Sequence, residues 1–184
     1  MMDKYNIESY EAAGQQPLGE GREKVVFVSP DDPEKVVNII KEGAESSELV
    51  KGRFYLTKIL HILYPQHIPD MYVSASEPHI MERERIQGTE SLKKSNDVLK
   101  DRLFGLGISL DSNPRNYMAE DEDSPARYVD TVLTWYRDGT PNYDAGKLKE
   151  AIFNLNEPER TKALSYLERL QDLNTTARKG KEIT

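Results

Sequence analysis

The chain has 184 residues, 31% of them charged and 37% hydrophobic, and a formal net charge of −7. This length allows one domain or one small two-lobed unit, and the acidic charge argues against general binding to nucleic acid or anionic lipid. The absence of cysteine excludes disulfides, thiolate zinc sites and cysteine nucleophiles, and the sequence carries neither a membrane-length apolar run nor a secretion signal, which predicts a cytoplasmic protein.

The first half of the chain reads as a sheet with one helix. Residues 1–16 are polar and predict a mobile arm or a short edge element. The segments KVVFV (24–28) and VVNII (36–40) flank a dense turn and predict a β-hairpin. Helical spacing of apolar residues predicts a helix over 45–64 that ends at Pro65, and two further strands follow at 71–75 and 79–86.

The second half is mainly helical. A helix is predicted over 90–107, with Gly107 at its C-terminal end. Short strands around 108–118 and 126–132 enclose the turn AEDEDSP, and closing helices are predicted over 144–155 and 157–173, with a frayed tail at 174–184. Asn156 and Glu159 have capping-box spacing. The order predicts an α+β fold whose sheet comes first, divided into an arm (1–16), a sheet lobe (17–88), a helical lobe (89–173) and a tail.

The segment SLDSNPRNYMAEDEDSPARYVDTV (109–132) contains the residues best suited to chemistry. Asp111 could orient and deprotonate a hydroxyl, while Asn116 and Asp130 offer the oxygen ligands that Mg²⁺ prefers. A hairpin between 116 and 130 would bring those two side chains together. The alternative is a solvated hairpin loop in which Asp111 caps a turn, since one such Asp and Asn spacing is expected by chance in this chain. A calcium loop fits poorly because Ala126 and Val132 stand where Gly and Glu are required.

Several motifs, taken in order, resemble the protein kinase and aminoglycoside phosphotransferase superfamily. LGEGREKVVFV (18–28) is similar to the glycine-rich turn over ATP phosphates, and HIPDMYV (67–73) with HIMERERIQG (79–88) resembles the fourth and fifth strands running into the hinge. SLDSNPRNYM (109–118) is similar to the catalytic loop HxDxxPxN, and YVDTV (128–132) stands at the DFG position. The resemblance implies a reduced two-lobed kinase-like fold, with an N-terminal antiparallel sheet, one αC-like helix and a small, mainly helical C-terminal lobe.

The resemblance also implies roles for individual residues. Asp111 would be the catalytic carboxylate, with Asn116 and Asp130 as Mg²⁺ ligands. The nucleotide would be ATP, contacted by a set drawn from the glycine turn, two lysines and the hinge: Gly19, Gly21, Lys24, Lys41 and Glu84.

The chain departs from the family pattern at several positions. Asn38 stands where the phosphate-binding lysine is expected, which leaves Lys24 and Lys41 as alternatives. The αC glutamate could only be Glu48 or Glu45. Ser109 and Leu110 replace the catalytic-loop His and Arg, and the hinge register puts either Arg83 or Met81 at the gatekeeper position.

These patterns predict a divergent phosphotransferase that uses ATP and Mg²⁺ and acts on a small molecule or one dedicated protein. Neither nucleic acid nor a membrane is an expected partner. The alternatives are a pseudokinase or scaffold without catalysis, and an unrelated α+β binding protein in which the glycine turn is coincidental.

Overall fold

A computed structural model describes residues 6–43, 46–73, 77, 79–90, 95–111, 113–121, 123–130, 136–137 and 140–181. Its contacts group the chain into a first unit, Met1–Val50 with Met71–Arg85, and a second unit, Lys51–Asp70 with Ile86–Thr184. The predicted α+β class with an N-terminal antiparallel sheet is confirmed. No helix within the described ranges is long and apolar enough to cross a bilayer.

The first unit is built on a sheet that, over its described residues, has five antiparallel strands. These are β1 (Gly19–Glu20), β2 (Lys24–Val28), β3 (Lys35–Ile40), β4 (Met71–Val73) and β5 (Ile80–Glu84), in the spatial order β1-β2-β3-β5-β4. The hairpin β2–β3 lies where the β-branched runs predict it. A helix, α2 (Ser47–Leu63), separates β3 from β4 in the chain, in the order that the kinase-like motifs imply.

One face of this sheet is covered by helix α1 (Ile7–Ala12), which corrects the prediction of a mobile arm or edge element. Asn6 begins the helix, since its side-chain oxygen accepts a hydrogen bond from the Ser9 N–H at 2.6 Å. The ring of Tyr10 stacks on Phe27 with 4.4 Å between centroids, and both side chains are buried. This apolar cluster is completed by alternate residues of the strands: Val25, Val37, Ile39 and Ile80.

The second unit contains, in its described part, a small sheet and three helices besides α2. The sheet pairs β6 (Thr89–Glu90) with β7 (Tyr117–Ala119), and β7 with β8 (Arg127–Tyr128). The predicted hairpin is therefore confirmed at 117–119 and 127–128, whereas residues 108–110 are not a strand. A short pair, β9 (Tyr136–Arg137) and β10 (Thr140–Pro141), follows.

The helices of the second unit are α3 (Ser95–Gly105), α4 (Ala145–Phe153) and α5 (Glu159–Lys181). Gly107 has φ of 77° just beyond α3, which confirms it as the glycine at that helix end. Helix α5 corrects two predictions. It continues to Lys181, into the segment expected to be a frayed tail, and Asn174 is buried. At its start, the side chain of Glu157 accepts from Thr161, where an Asn156 and Glu159 capping box was expected.

Candidate active site

The β7–β8 hairpin positions the end of the predicted catalytic segment. Tyr117 lies opposite Tyr128, and the Val129 N–H donates to the Asn116 carbonyl at 2.8 Å. Asp130 directly follows Val129, so it lies one residue beyond this backbone hydrogen bond to Asn116. Its side chain is half-buried. Residues 131–135, including the rest of the DFG-like segment, lie outside the described residues.

The carboxylate of Asp111 is oriented by two hydrogen bonds. One oxygen accepts from the Asn113 backbone N–H at 3.0 Å, and the other accepts from the Asn116 amide at 3.1 Å. The first bond caps a turn, as expected if the segment is only a solvated hairpin loop. The second joins the two residues that the kinase-like motif pairs, across a 3₁₀ turn at Pro114–Asn116. The exposed carboxylate is thus held in one orientation while remaining open to solvent.

Two buried tyrosines hold the backbone of Asp111, and the sequence patterns did not single them out. The hydroxyl of Tyr117 donates to the Asp111 carbonyl at 3.0 Å. Tyr128 also makes a hydrogen bond with the Asp111 backbone, in which the backbone acts as the N–H donor. The one available sequence signal is their position, directly after Asn116 and two residues before Asp130.

Burial and nearby carboxylates keep both tyrosines protonated. Desolvation, followed by the charges of Asp111 and Asp97, raises the pKa of Tyr117 to about 12. Desolvation, followed by the charge of Asp130, raises the pKa of Tyr128. Both phenols are therefore neutral hydrogen-bonding groups at any physiological pH.

The oxygen-bearing side chains of Asn116 and Asp130 suit Mg²⁺ better than a transition metal. Asn116 and Asp130 offer hard oxygen ligands, which Mg²⁺ combines with water and phosphate oxygens rather than with an all-protein cage. Within the described ranges, no group of three His, Cys, Asp or Glu side chains could hold a metal ion. A site of one carboxylate and one amide oxygen is therefore a candidate only for a cation that arrives with other ligands.

In the first unit, the predicted glycine turn is closed by a backbone bond from the Gly21 N–H to the Lys24 carbonyl at 2.9 Å. A Cβ added at Gly19 would meet nothing within 4 Å, and one at Gly21 would make only an ordinary 3.8 Å contact. Neither residue has a positive φ. The fold of the turn therefore does not require glycine at either position.

The strand register separates the two candidate lysines. Asn38 pairs with Val26 across the β2–β3 hairpin, so it shares a face of the sheet with Lys24, two residues from Val26. Lys41 follows the alternation onto the other face, where its ammonium binds the Glu20 carboxylate at 2.7 Å. Lys24 thus lies on the same face of the sheet as Asn38, and Lys41 does not.

Asn38 is fully buried at the position where the family has its lysine. Its amide nitrogen donates to the Met81 carbonyl at 3.3 Å, while its Oδ1 has no hydrogen-bond partner among the described residues. Met81, opposite Asn38, is buried, and Arg83 is half-buried on the same face. An apolar side chain, that of Met81, therefore lies directly opposite Asn38.

The remaining predicted residues are exposed. Glu84 ends β5 opposite Lys35, and Glu48 lies in the first turn of α2. Glu45, the other candidate for the αC glutamate, lies outside the described residues. The structure assigns no ligand contact to any of them.

No protein-family model and no curated protein sequence matches this chain. Among solved structures, the chain is similar to the Rio2 kinase–ADP/Mg²⁺–phosphoaspartate complex from Chaetomium thermophilum, at 13% identity and a TM-score of 0.42, over 97% of this chain and 75% of that chain. At this TM-score and identity, the likeness assigns neither an activity nor a site.

Proposed function

We propose that the chain binds ATP with Mg²⁺ and transfers its terminal phosphate to a hydroxyl of a small molecule or of one dedicated protein. The observation that carries the proposal is the 3.1 Å bond between Asn116 and Asp111, on a hairpin whose other strand leads to Asp130. Chance spacing in an acidic chain does not require these side chains to touch.

Asp111 would orient the accepting hydroxyl. A carboxylate has about four lone-pair sites, and the bonds from Asn113 and Asn116 use two of them. A hydroxyl can therefore donate to the same group without displacing either bond. Phosphoryl transfer requires mainly positioning and charge neutralisation, so an exposed but oriented carboxylate is suited to the task.

Asn116 and Asp130 would hold the cation. Because the Asn116 amide nitrogen donates to Asp111, its Oδ1 is the atom left to bind Mg²⁺. The amide carries no charge, so it adds a ligand without adding repulsion between carboxylates. Bound Mg²⁺ would neutralise the negative charge of the phosphates.

The phosphate contacts proposed for the first unit are the backbone at Gly19 and Gly21 and the ammonium of Lys24. The register supports Lys24 over Lys41, because Lys24 shares its face with Asn38. Glu84 remains a prediction for the adenine end.

The proposal is tested by titrating purified protein with ATP, with and without Mg²⁺, in a calorimeter. Wild type should bind ATP at least about 10-fold more tightly with Mg²⁺, and Asp130→Asn or Asn116→Ala should remove most of that gain. Asp101→Asn, at an exposed position on α3, is the matched control and should titrate like wild type. Wild-type protein with no Mg²⁺-dependent binding and no ATP hydrolysis would end the proposal.

A pseudokinase or scaffold is a second candidate, favoured by the buried amide of Asn38 where a lysine is expected. An uncharged side chain there cannot neutralise phosphate. This candidate predicts nucleotide binding without turnover, so Mg²⁺-dependent hydrolysis that disappears in Asp111→Asn would contradict it.

A further inference from the structure

The backbone of Asp111 is fixed from both sides by side chains of the β7–β8 hairpin. Tyr117 donates to the Asp111 carbonyl, and Tyr128 is hydrogen-bonded to the Asp111 backbone in the sense expected of a donating N–H. The two bonds engage both polar atoms of one peptide residue.

The two rings themselves have little freedom. Tyr117 is fully buried and Tyr128 is 3% exposed. Their rings meet edge to face, with 5.2 Å between centroids and 65° between planes, and the Lys100 ammonium lies 4.9 Å from the centre of the Tyr117 ring. Because the rings cannot turn without repacking, the hydroxyls mark two fixed points to which the Asp111 backbone is tied.

We propose that Tyr117 and Tyr128 are positioning residues that set the location of the Asp111 carboxylate for phosphate transfer, an inference that rests on the proposed function. They act on the backbone, while Asn113 and Asn116 act on the carboxylate oxygens. The chain has Ser109 and Leu110 directly before Asp111, and the support comes instead from the hairpin that follows it.

The competing explanation is that both tyrosines are only core residues. Their hydroxyls would then be hydrogen-bonded to Asp111 simply because it is the nearest polar backbone. Tyr143 provides the matched comparison. It is also a buried tyrosine of the second unit, and its hydroxyl is also hydrogen-bonded, to the Asn174 amide rather than to Asp111. Phenylalanine at any of the three positions keeps the ring and removes one buried hydrogen bond.

The experiment compares Tyr117→Phe, Tyr128→Phe and Tyr143→Phe by melting temperature and by the kinetics of Mg²⁺-dependent ATP hydrolysis. All three should melt about 2–4 °C lower than wild type. The first two should also lose about 10-fold in kcat, with KM for ATP within about twofold, because a displaced catalytic group lowers the rate and not nucleotide binding. Tyr143→Phe should keep the wild-type kcat.

Amide hydrogen exchange gives a readout that does not depend on turnover. The Asp111 N–H should exchange about 10-fold faster in Tyr128→Phe, and at the wild-type rate in Tyr143→Phe.

Normal kcat in both Tyr117→Phe and Tyr128→Phe, in a wild type that hydrolyses ATP, would overturn this inference and leave the proposed function standing. A wild type with no Mg²⁺-dependent binding or hydrolysis would overturn the proposed function, and the positioning role with it.

Discussion

Asp111 of the second unit and Lys41 of the first unit are held very differently. Asp111 is hydrogen-bonded at its backbone carbonyl, at its backbone N–H and at both carboxylate oxygens. Lys41 has an ion pair with Glu20, a group that is itself 59% exposed. An ion pair of that kind contributes about 1 kcal/mol or less, so the lysine can leave it easily.

This contrast teaches where geometry matters in the proposed reaction. A group that takes a proton in line must be in place before the reaction begins, whereas a long flexible ammonium can find phosphate oxygens after they arrive. The hydrogen bonds described above hold the carboxylate of Asp111 in place. Substitutions at the fixed carboxylate should therefore have larger effects than substitutions at the lysines.

The largest effect is expected from Asp111→Asn. The amide cannot take a proton, so the rate of Mg²⁺-dependent ATP hydrolysis should fall by about 10³-fold or more, with ATP affinity within about threefold of wild type. The measurement is steady-state kinetics together with a calorimetric titration. An unchanged rate would show that Asp111 does not take part in the reaction, and it would contradict the expected difference between Asp111 and the lysines.

The next largest effect separates Lys24 from Lys41. Lys24→Met should weaken Mg²⁺–ATP binding by about 10- to 100-fold, the size expected for a charged hydrogen bond to phosphate. Lys41→Met, the matched control from the other face of the sheet, should change binding by less than about twofold. The reverse ranking of the two variants would mean that the strand alternation ends before Lys41.

A third prediction contrasts glycines of the two units. A Cβ at Gly88 would lie 2.1 Å from the Ala119 carbonyl oxygen, so Gly88→Ala must push β6 away from β7 and should cost about 2–3 kcal/mol of unfolding free energy. Gly21→Ala meets no such obstacle and should unfold within about 0.5 kcal/mol of wild type, while weakening ATP binding. Urea denaturation and calorimetry measure the two quantities separately.

Equal stability of Gly88→Ala and wild type would show that β6 can move without loss. A Gly21→Ala variant that binds ATP normally would remove the ligand-approach reason for the glycine turn.

The last prediction is an alkaline sensitivity shared by the two units. Burial raises the pKa of Tyr10 in the first unit and of Tyr117 in the second unit to about 12. Unfolded tyrosine loses its proton near pH 10, so stability is retained below pH 10 and falls between pH 10 and 12, by about 1.4 kcal/mol per pH unit for each tyrosine.

Urea unfolding of wild type, Tyr10→Phe and Tyr117→Phe between pH 8 and 12 measures this slope. Each variant should lose less stability above pH 10 than wild type does. Parallel curves for all three proteins would contradict the assignment of the slope to these phenols.

The parts of the fold that the sequence predicts are those with strong local patterns. The run KVVFV forms β2 at its predicted bounds because β-branched residues bounded by turns favour a strand in any surroundings. Helix α1 was missed because one turn and a half of polar sequence has no local signal, and it forms through the packing of Tyr10 on Phe27. Strand β6 was missed for a similar reason, since Thr89 and Glu90 pair with β7 only because Gly88 allows close approach.

The candidate site was predictable to the same extent. The five-residue spacing of Asp111 and Asn116 is local, and the two side chains touch. The contacts of Tyr117 and Tyr128 could not be predicted from spacing, because they depend on which face of the hairpin carries the two rings. Strand alternation separates Lys24 from Lys41, and one sequence predicts that alternation only if the strand is regular up to its end.

Helix α1 also has a practical consequence. Residues 7–12 close an apolar surface formed by Val25, Phe27, Val37 and Ile39. A recombinant form that starts at Pro17 would present this surface to water and should self-associate or precipitate on concentration.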